Sequence, residues 1–250
     1  MRIIAIASQK GGVAKSTTAV QLATGLALKG HPTLLIDMDP QANSTYAVLG
    51  EEADDNSVYD LLMRDVPLSS VVRRTQRPNL DMVPSNIELA GAEVELISKV
   101  GGQRRLRAKL DKSASTLGYE YVIIDAPPSL GFLTINTLAA ATEVIIPVPA
   151  SIFALKGIKD LEDTISDVRQ ELGNDNLRVL GVLCTIFEPS TNVAKDVRQT
   201  IQDHFGQLVF RATIPKTIKF EEAHSRQSVS YTHLRAHETD SYLVCRLLLE

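Results

Sequence analysis

The sequence predicts an α/β fold built on a doubly wound, mainly parallel sheet, and three features of the chain support this. Short apolar runs alternate with longer amphipathic stretches, as they do in βαβ units. The short runs are apolar throughout, which is typical of strands covered on both faces. No internal repeat or low-complexity linker interrupts the pattern, so we expect one domain.

Six strands and seven helices are predicted along the chain. The strands are expected at residues 3–7, 33–36, 80–83, 121–124, 143–148 and 178–185. The helices are expected at residues 17–29, 58–63, 87–98, 104–117, 133–141, 155–172 and 192–205. The first helix has apolar residues at helical spacing and is followed by Gly30, a residue favoured at helix C termini.

Composition and charge exclude several classes of protein. The net charge of −4 means that contact with nucleic acid would need a local basic patch. The two cysteines, Cys184 and Cys245, are far apart and form no CxxC pattern, which favours a reducing cytoplasm over a disulfide framework or a zinc site. No apolar run reaches the roughly 18–20 residues of a membrane span, so we expect a cytoplasmic protein with no membrane partner.

A glycine-rich loop between the first strand and the first helix predicts a phosphate-binding site. The loop reads Lys10-Gly11-Gly12-Val13-Ala14-Lys15-Ser16-Thr17. The two glycines let backbone N–H groups approach phosphate oxygens, and the helix adds its positive N-terminal end. Lys15 would hold the β- and γ-phosphates of ATP, and the Ser16 hydroxyl would be a ligand of Mg²⁺. The alternative is a structural Gly-Gly turn with two surface lysines.

The spacing departs from the common G-x-x-x-x-G-K-[ST] pattern in two ways. Ala14 stands where the second glycine of that pattern would be, and its methyl group would be tolerated if the local φ is negative. An additional lysine, Lys10, begins the loop.

Acidic residues follow two of the predicted strands. Asp37 and Asp39 end the second strand, and Asp125 ends the strand at 121–124. Ligands bind beyond the carboxyl ends of the strands in open α/β sheets, so these acids are candidates for the chemistry of the phosphate site. We expect Asp37 to support the shell of a magnesium ion. The alternative for Asp37 and Asp39 is a solvated turn, because Asp and Pro are common turn residues.

The loop and the acids together resemble the ParA/MinD family of dimeric ATPases, which carries a deviant Walker A motif. The resemblance implies that Lys10 reaches across a nucleotide-sandwich dimer to the partner's ATP, where its charge would stabilise the transferred phosphoryl group. It implies that Asp39 positions the attacking water and that Asp125 holds magnesium through water. It also implies that Ile214 and Pro215 line the adenine pocket.

Within that family, the segment Asp39-Pro40-Gln41-Ala42-Asn43 resembles the ParA branch more than the MinD branch. The chain starts directly at the first strand, which resembles the short chromosome-type proteins. The resemblance implies a homodimer on ATP binding, non-specific DNA binding at the nucleoid and a ParB-like stimulator of hydrolysis. The candidates for DNA contact are Lys195, Arg198, Lys216, Lys219 and Arg226. Two alternatives stay open: a membrane-recruited MinD-like ATPase, and a ParA-like protein that positions another cargo.

The resemblance ends after Val229. The family would continue with an Asp-Pro-rich turn and a closing amphipathic helix, whereas residues 230–250 resemble translated sequencing-adapter read-through. We therefore expect a ParA-type ATPase domain over residues 1–229 and an atypical tail that replaces the native C-terminal helix. The alternative is a divergent natural helix with an apolar stripe of Tyr242, Val244, Leu247 and Leu248.

Overall fold

The computed structural model describes residues 1–51, 53, 55–151, 154–188 and 190–216. The candidate DNA contacts Lys219 and Arg226 and the tail at 230–250 lie outside the described residues. The strands are β1 (Arg2–Ile6), β2 (Thr33–Asp37), β3 (Arg73–Arg74), β4 (Leu80–Val83), β5 (Tyr121–Asp125), β6 (Glu143–Pro149), β7 (Arg178–Phe187) and β8 (Val209–Pro215). They form one sheet in the order β3-β4-β2-β5-β1-β6-β7-β8.

The helices lie on both faces of this sheet. They are α1 (Lys15–Leu28), α2 (Asn43–Leu49), α3 (Val58–Met63), α4 (Leu68–Val71), α5 (Leu89–Ser98), α6 (Arg105–Leu117), α7 (Phe132–Ala140), α8 (Ala154–Glu171) and α9 (Asn192–Phe205). Short 3₁₀ turns precede α6 and β8, at Gly102–Arg104 and Gly206–Leu208. Apolar residues of α1 and α2 pack on one face, and those of α3 to α9 pack on the other. This confirms the predicted doubly wound α/β fold.

Strand pairing in the described part of the chain is parallel except between β3 and β4. Side chains alternate between the two apolar layers: Ile4 and Ile6 of β1 face the α1 layer, whereas Ile3 and Ala5 face the other. Both layers are buried, which explains why residues 3–6 of β1 are apolar at successive positions.

Local sequence signals set several helix boundaries. The Ser57 hydroxyl accepts a hydrogen bond from Tyr59 N at 3.2 Å, and Ser57 N donates to Asp60 Oδ2 at 2.8 Å. This reciprocal capping box begins α3 at the predicted residue. Thr191 caps α9 in a similar way, since its hydroxyl accepts from Ala194 N at 3.3 Å.

Four elements were not predicted from the sequence. β3 consists of two charged residues at a sheet edge, and α4 has only four residues, so neither carries a periodic pattern. The alternation of β8 is interrupted by the exposed Arg211. α2 lies within the polar segment after Asp39 and is fixed by tertiary hydrogen bonds that the sequence pattern does not show.

The register of the central strands creates the functional edge of the sheet. β2 pairs with β5 so that Asp37 lies opposite Asp125, and β1 pairs with β5 so that Ile6 lies opposite Asp125. The loop after β1 and the two acids therefore meet at the carboxyl ends of three adjacent strands.

An ion cluster around the buried Glu143 closes the opposite end of the sheet. Glu143, which is 2% exposed, accepts from Arg2 Nε at 2.8 Å and from Arg178 NH2 at 2.6 Å. Burial alone raises the pKa of Glu143, but the two arginines outweigh burial and hold it below its usual value of 4.5. A carboxyl group with a lowered pKa stabilises the fold at higher pH, and that contribution is lost as the pH falls.

We expect Glu143→Ala to lower the free energy of unfolding at pH 7 by about 2 kcal/mol, because two arginines lose their shared acceptor. The difference from the wild type should shrink below pH 4.5, the usual pKa of this carboxyl, as Glu143 takes up a proton. Urea unfolding across this range measures both effects, with the exposed Glu171→Ala as control. A difference that stays constant down to about pH 3 would contradict the assignment.

Candidate nucleotide-binding site

The loop between β1 and α1 has the backbone form of an anion-binding turn. Gly12 has a φ of 69°, a left-handed value that glycine adopts without steric cost. α1 begins at Lys15, so the unpaired N–H groups of its first turn and its positive dipole end face the loop. Helix N termini of this kind bind phosphate groups.

Ala14 does not meet the condition of a negative φ under which its methyl group would be tolerated without strain. Its φ is 63° and its ψ is 35°, which places it in the left-handed region. The Cβ of an L-residue crowds the following carbonyl there, at a cost of roughly 1–2 kcal/mol. Thr18 holds this conformation, since its hydroxyl donates to Ala14 O at 2.6 Å and its N–H does so at 2.9 Å. The strained residue occupies the position where the common motif has glycine.

An open pocket of about 580 Å³ lies above this loop. It is lined by Gly11, Gly12, Val13, Ala14, Lys15, Ser16, Thr17, Asp39, Gln41, Ala42, Asn43, Tyr46 and Pro128. The loop residues predicted to bind nucleotide therefore share one cavity with the acid predicted to position water.

Lys15 is the cation at the base of the pocket. It is 6% exposed, and its Nζ donates to Lys10 O at 3.2 Å. Burial lowers the pKa of Lys15. The negative charges of Asp125 and Asp39 act in the opposite direction but do not outweigh burial. The lysine is thus within electrostatic reach of both acids while it lines the phosphate loop.

Asp37 organises the segment that follows β2. It is fully buried; its Oδ1 accepts from Asp39 N at 3.0 Å, and its Oδ2 accepts from Thr45 N and Thr45 Oγ1, both at 2.8 Å. Burial and the neighbouring Asp125 raise the pKa of Asp37. Both oxygens accept hydrogen bonds from the loop that follows β2, and the role of Asp37 beside a magnesium ion stays a prediction.

Asp125 is also fully buried, but it keeps one oxygen available. Its Oδ2 accepts from Ser44 Oγ at 2.7 Å, whereas its Oδ1 has no hydrogen-bond partner within the described part of the chain. Burial raises the pKa of Asp125, and the hydroxyls of Ser44 and Ser16 oppose that rise. A buried carboxylate oxygen without a partner is unfavourable unless a cation or an ordered water approaches it.

This donor set fits a magnesium ion bound together with phosphates. Across the described ranges, no group of three or more His, Cys, Asp or Glu side chains could hold a metal by itself. Mg²⁺ commonly uses one or two protein oxygens, phosphate oxygens and water. Ser16 in the pocket and the unpaired Oδ1 of Asp125 behind it supply such a set.

The other three predicted nucleotide contacts are not among the described residues that line this pocket. The Lys10 side chain is exposed, and it is not among the described residues that line the pocket. Ile214 is 6% exposed, packs in the α1 layer and is not among the described residues that line the pocket, so its contact with a base stays a prediction. Pro215 pairs with Phe187 at the end of β8 and is likewise absent from the described pocket lining.

The three described candidates for DNA contact lie near one another beyond β7 and β8. Lys195 and Arg198 of α9 line a small pocket of about 220 Å³ with Phe187. Arg198 stacks over the Phe187 ring at 5.6 Å and donates to a backbone carbonyl at 3.1 Å. Lys216 N donates to Phe187 O, and its side chain pairs with Glu188 at 3.1 Å.

Sequence reasoning missed several residues of the site. Gln41 and Asn43 were noted only as part of a family motif, and Tyr46 carried no signal. The Thr185 hydroxyl donates to Val13 O at 3.0 Å and so fixes the phosphate loop from β7. A threonine near the carboxyl end of a predicted strand is the signal that could have indicated this contact.

Comparisons with known proteins identify the family. A family model described as an AAA domain matches residues 1–179. The sporulation initiation inhibitor protein Soj of Bacillus subtilis is 41% identical over 225 residues, which cover 90% of this chain and 88% of that protein. The chromosome partitioning protein ParA of Caulobacter vibrioides is 40% identical, and the chromosome-partitioning ATPase Soj of Thermus thermophilus is 42% identical. Their alignments cover 90% of this chain and 84% and 85% of those proteins. The chain belongs to the ParA/Soj family of partitioning ATPases.

Solved structures resemble this ParA/Soj chain over nearly its whole length. A plasmid partition protein from Borrelia burgdorferi, solved with AMPPNP, has a TM-score of 0.82 and 25% identity, covering 99% of this chain and 98% of that one. Cobyrinic acid a,c-diamide synthase from Mycobacterium smegmatis, solved with ADP and magnesium, has a TM-score of 0.80 and 36% identity, covering 96% of both chains. None of the helices within the described ranges has the length and apolar character needed to cross a membrane.

We expect Ala14→Gly to raise the free energy of unfolding of this ParA/Soj protein by about 1 kcal/mol, because it relieves the left-handed strain. Thermal or urea unfolding measures the change. Ala23→Gly is the matched control within α1 and should lower stability by a similar amount, since glycine is unfavourable inside a helix. Equal destabilisation by both variants would show that Ala14 is not strained.

Proposed function

We propose that this chain binds ATP with Mg²⁺ in the pocket above α1 and hydrolyses the nucleotide to ADP and phosphate. The observation that carries the proposal is the convergence of Lys15, Asp39 and Asp125 on the phosphate loop. The ligands named for the solved relatives, AMPPNP and ADP with magnesium, agree with such a site.

Each residue has a distinct task in this reaction. Lys15 would bind the β- and γ-phosphates and stabilise the charge that develops on the transferred phosphoryl group. Mg²⁺, held by Ser16 and through water by Asp125, would neutralise the phosphates. Asp39 lines the pocket with Oδ1 held by Gln41 N at 3.0 Å, so its Oδ2 would orient the attacking water.

A dimer would complete the active site. Lys10 is exposed at the mouth of the loop, and its side chain is not part of the pocket lining within the described residues. We infer that it acts on the nucleotide of a second copy of the chain, where a further cation would stabilise the same developing charge. ATP would then be a signal for dimerisation as well as a substrate.

The proposed role of this dimer is chromosome or plasmid segregation. The dimer would bind DNA at the nucleoid without sequence preference, and a ParB-like partner would stimulate hydrolysis and release it. Relatives named as chromosome partitioning proteins support this role. Lys195, Arg198 and Lys216 supply positive charge on one side of the molecule, as backbone phosphates require.

The synthase name of one solved relative supports a second candidate, the ATP-dependent amidation of a carboxylic acid. The two functions differ in what ATP turnover requires. A synthase would transfer phosphate to a carboxylate, so its turnover would depend on an organic acid and a nitrogen donor. Turnover that depends on DNA, with neither of these present, would favour segregation.

Lys15→Ala and Asp39→Ala should separate binding from chemistry. We expect Lys15→Ala to lose measurable ATP affinity, whereas Asp39→Ala should bind ATP like the wild type and hydrolyse it at least about 100-fold more slowly. Fluorescent nucleotide titration and a phosphate-release assay measure these quantities. ATP affinity retained by Lys15→Ala, or normal turnover by Asp39→Ala, would contradict the assignments.

Non-specific DNA should stimulate ATP turnover, and Lys195→Glu should weaken DNA binding. The plot of log affinity against log salt should lose about one unit of slope for each phosphate contact removed. Lys112→Glu on α6 changes the charge equally on another side of the fold and serves as control. Equal loss of DNA affinity in both variants would argue against a site on α9.

A further inference from the structure

We propose that Thr45 is a positioning residue for ATP hydrolysis. Thr45 joins the loop that carries Asp39 to the turn after β4. The inference rests on the proposed ATPase function. Thr45 is not among the described residues that line the nucleotide pocket, so any effect on turnover would pass through its neighbours.

The Thr45 hydroxyl is both a donor and an acceptor at a fully buried junction. It donates to Asp37 Oδ2 at 2.8 Å and accepts from Ser85 N at 2.9 Å. Thr45 N makes a second bond to the same Asp37 oxygen, also at 2.8 Å. Asp37, Thr45 and Ser85 are each 0% exposed, so water cannot replace a lost partner without opening the structure.

These bonds fix both ends of one short segment to a single carboxylate. Asp37 Oδ1 accepts from Asp39 N at 3.0 Å, at the start of residues 39–45, and Oδ2 holds Thr45 at their end. A neighbouring tether, from Ser44 Oγ to Asp125 Oδ2 at 2.7 Å, joins the same end to the magnesium side of the site. The position of Asp39 is therefore defined by anchors at both ends of its loop.

Hydrolysis should depend on this anchor more than ATP binding does. The phosphates would rest on the loop of residues 11–17, which makes none of the Thr45 contacts described above. The attacking water must instead lie within a fraction of an ångström of its reactive position, and Asp39 sets that position. Releasing one end of the segment would misplace the water and leave the phosphate cradle intact.

The test compares Thr45→Val, which keeps the shape of the side chain but removes its hydroxyl, with Thr45→Ser, which keeps the hydroxyl. We expect Thr45→Val to lower kcat about 10- to 100-fold while the Kd for ATP changes less than about threefold. Thr45→Ser should restore kcat to within about threefold of the wild type. A role in stability alone would not separate kcat from Kd in this way.

Thr33→Val is the matched control. Thr33 is also fully buried in the fold, and its hydroxyl makes one hydrogen bond, to His31 O at 2.9 Å, at the far end of β2. This variant should keep the wild-type kcat. Wild-type kcat in Thr45→Val, equal slowing in Thr33→Val, or a loss of ATP affinity that matches the loss of kcat would overturn the proposal.

Hydrogen exchange on the wild type provides a test that needs no variant to fold. The amides of Thr45 and Ser85 should exchange together, because one hydroxyl and one carboxylate hold both. Independent exchange of the two amides would contradict the proposed junction. Absence of ATP turnover in the wild type would instead refute the proposed ATPase function. Failure of that function can therefore be told apart from failure of the Thr45 proposal.

Discussion

The parallel pairing of β2 with β5 is the constraint on which the site depends. It sets Asp37 opposite Asp125, and the pairing of β1 with β5 brings the phosphate loop to the same edge. Side chains alternate between faces along a strand, so a slip of one residue would send these carboxylates to opposite sides of the sheet. The hydrogen bonds that Asp37 and Asp125 accept at this edge require the observed register.

The same register buries two acids side by side, which is unfavourable for their charged forms. Burial raises the pKa of both Asp37 and Asp125. The cost is offset by hydrogen bonds from Thr45 and Asp39 N to Asp37, and from Ser44 to Asp125. Those hydrogen bonds also order the loop after β2. The groups that offset the cost of burying the two acids therefore also position Asp39. A cation bound beside Asp125 would relieve the remaining repulsion, and ligand binding would then stabilise the fold.

The sequence was sufficient for the elements with a strong periodic pattern. The bounds of α3 and α9 were predicted to the residue, and the glycine-rich loop, Asp39 and the acids behind it were recognised from their places at strand ends. The roles of Thr45, Ser44 and Thr185 could not be predicted, because each depends on a partner brought close only by the folded sheet. The left-handed backbone of Ala14 could not be predicted, since residues other than glycine mostly have a negative φ and the start of α1 imposes a positive one.

The proposed dimer would give Lys10 a role in catalysis, because its exposed side chain is not among the described residues that line its own pocket. Mixing Lys10→Ala with Asp39→Ala in equal amounts tests this directly, since each variant alone should be nearly inactive. If Lys10 acts on the partner's nucleotide, a mixed dimer contains one complete site, and ATPase activity should recover to about one quarter of the wild type. Mixing Lys15→Ala with Asp39→Ala should give no recovery, because Lys15 serves its own pocket. Activity of the first mixture no higher than that of its separate components would contradict a shared active site.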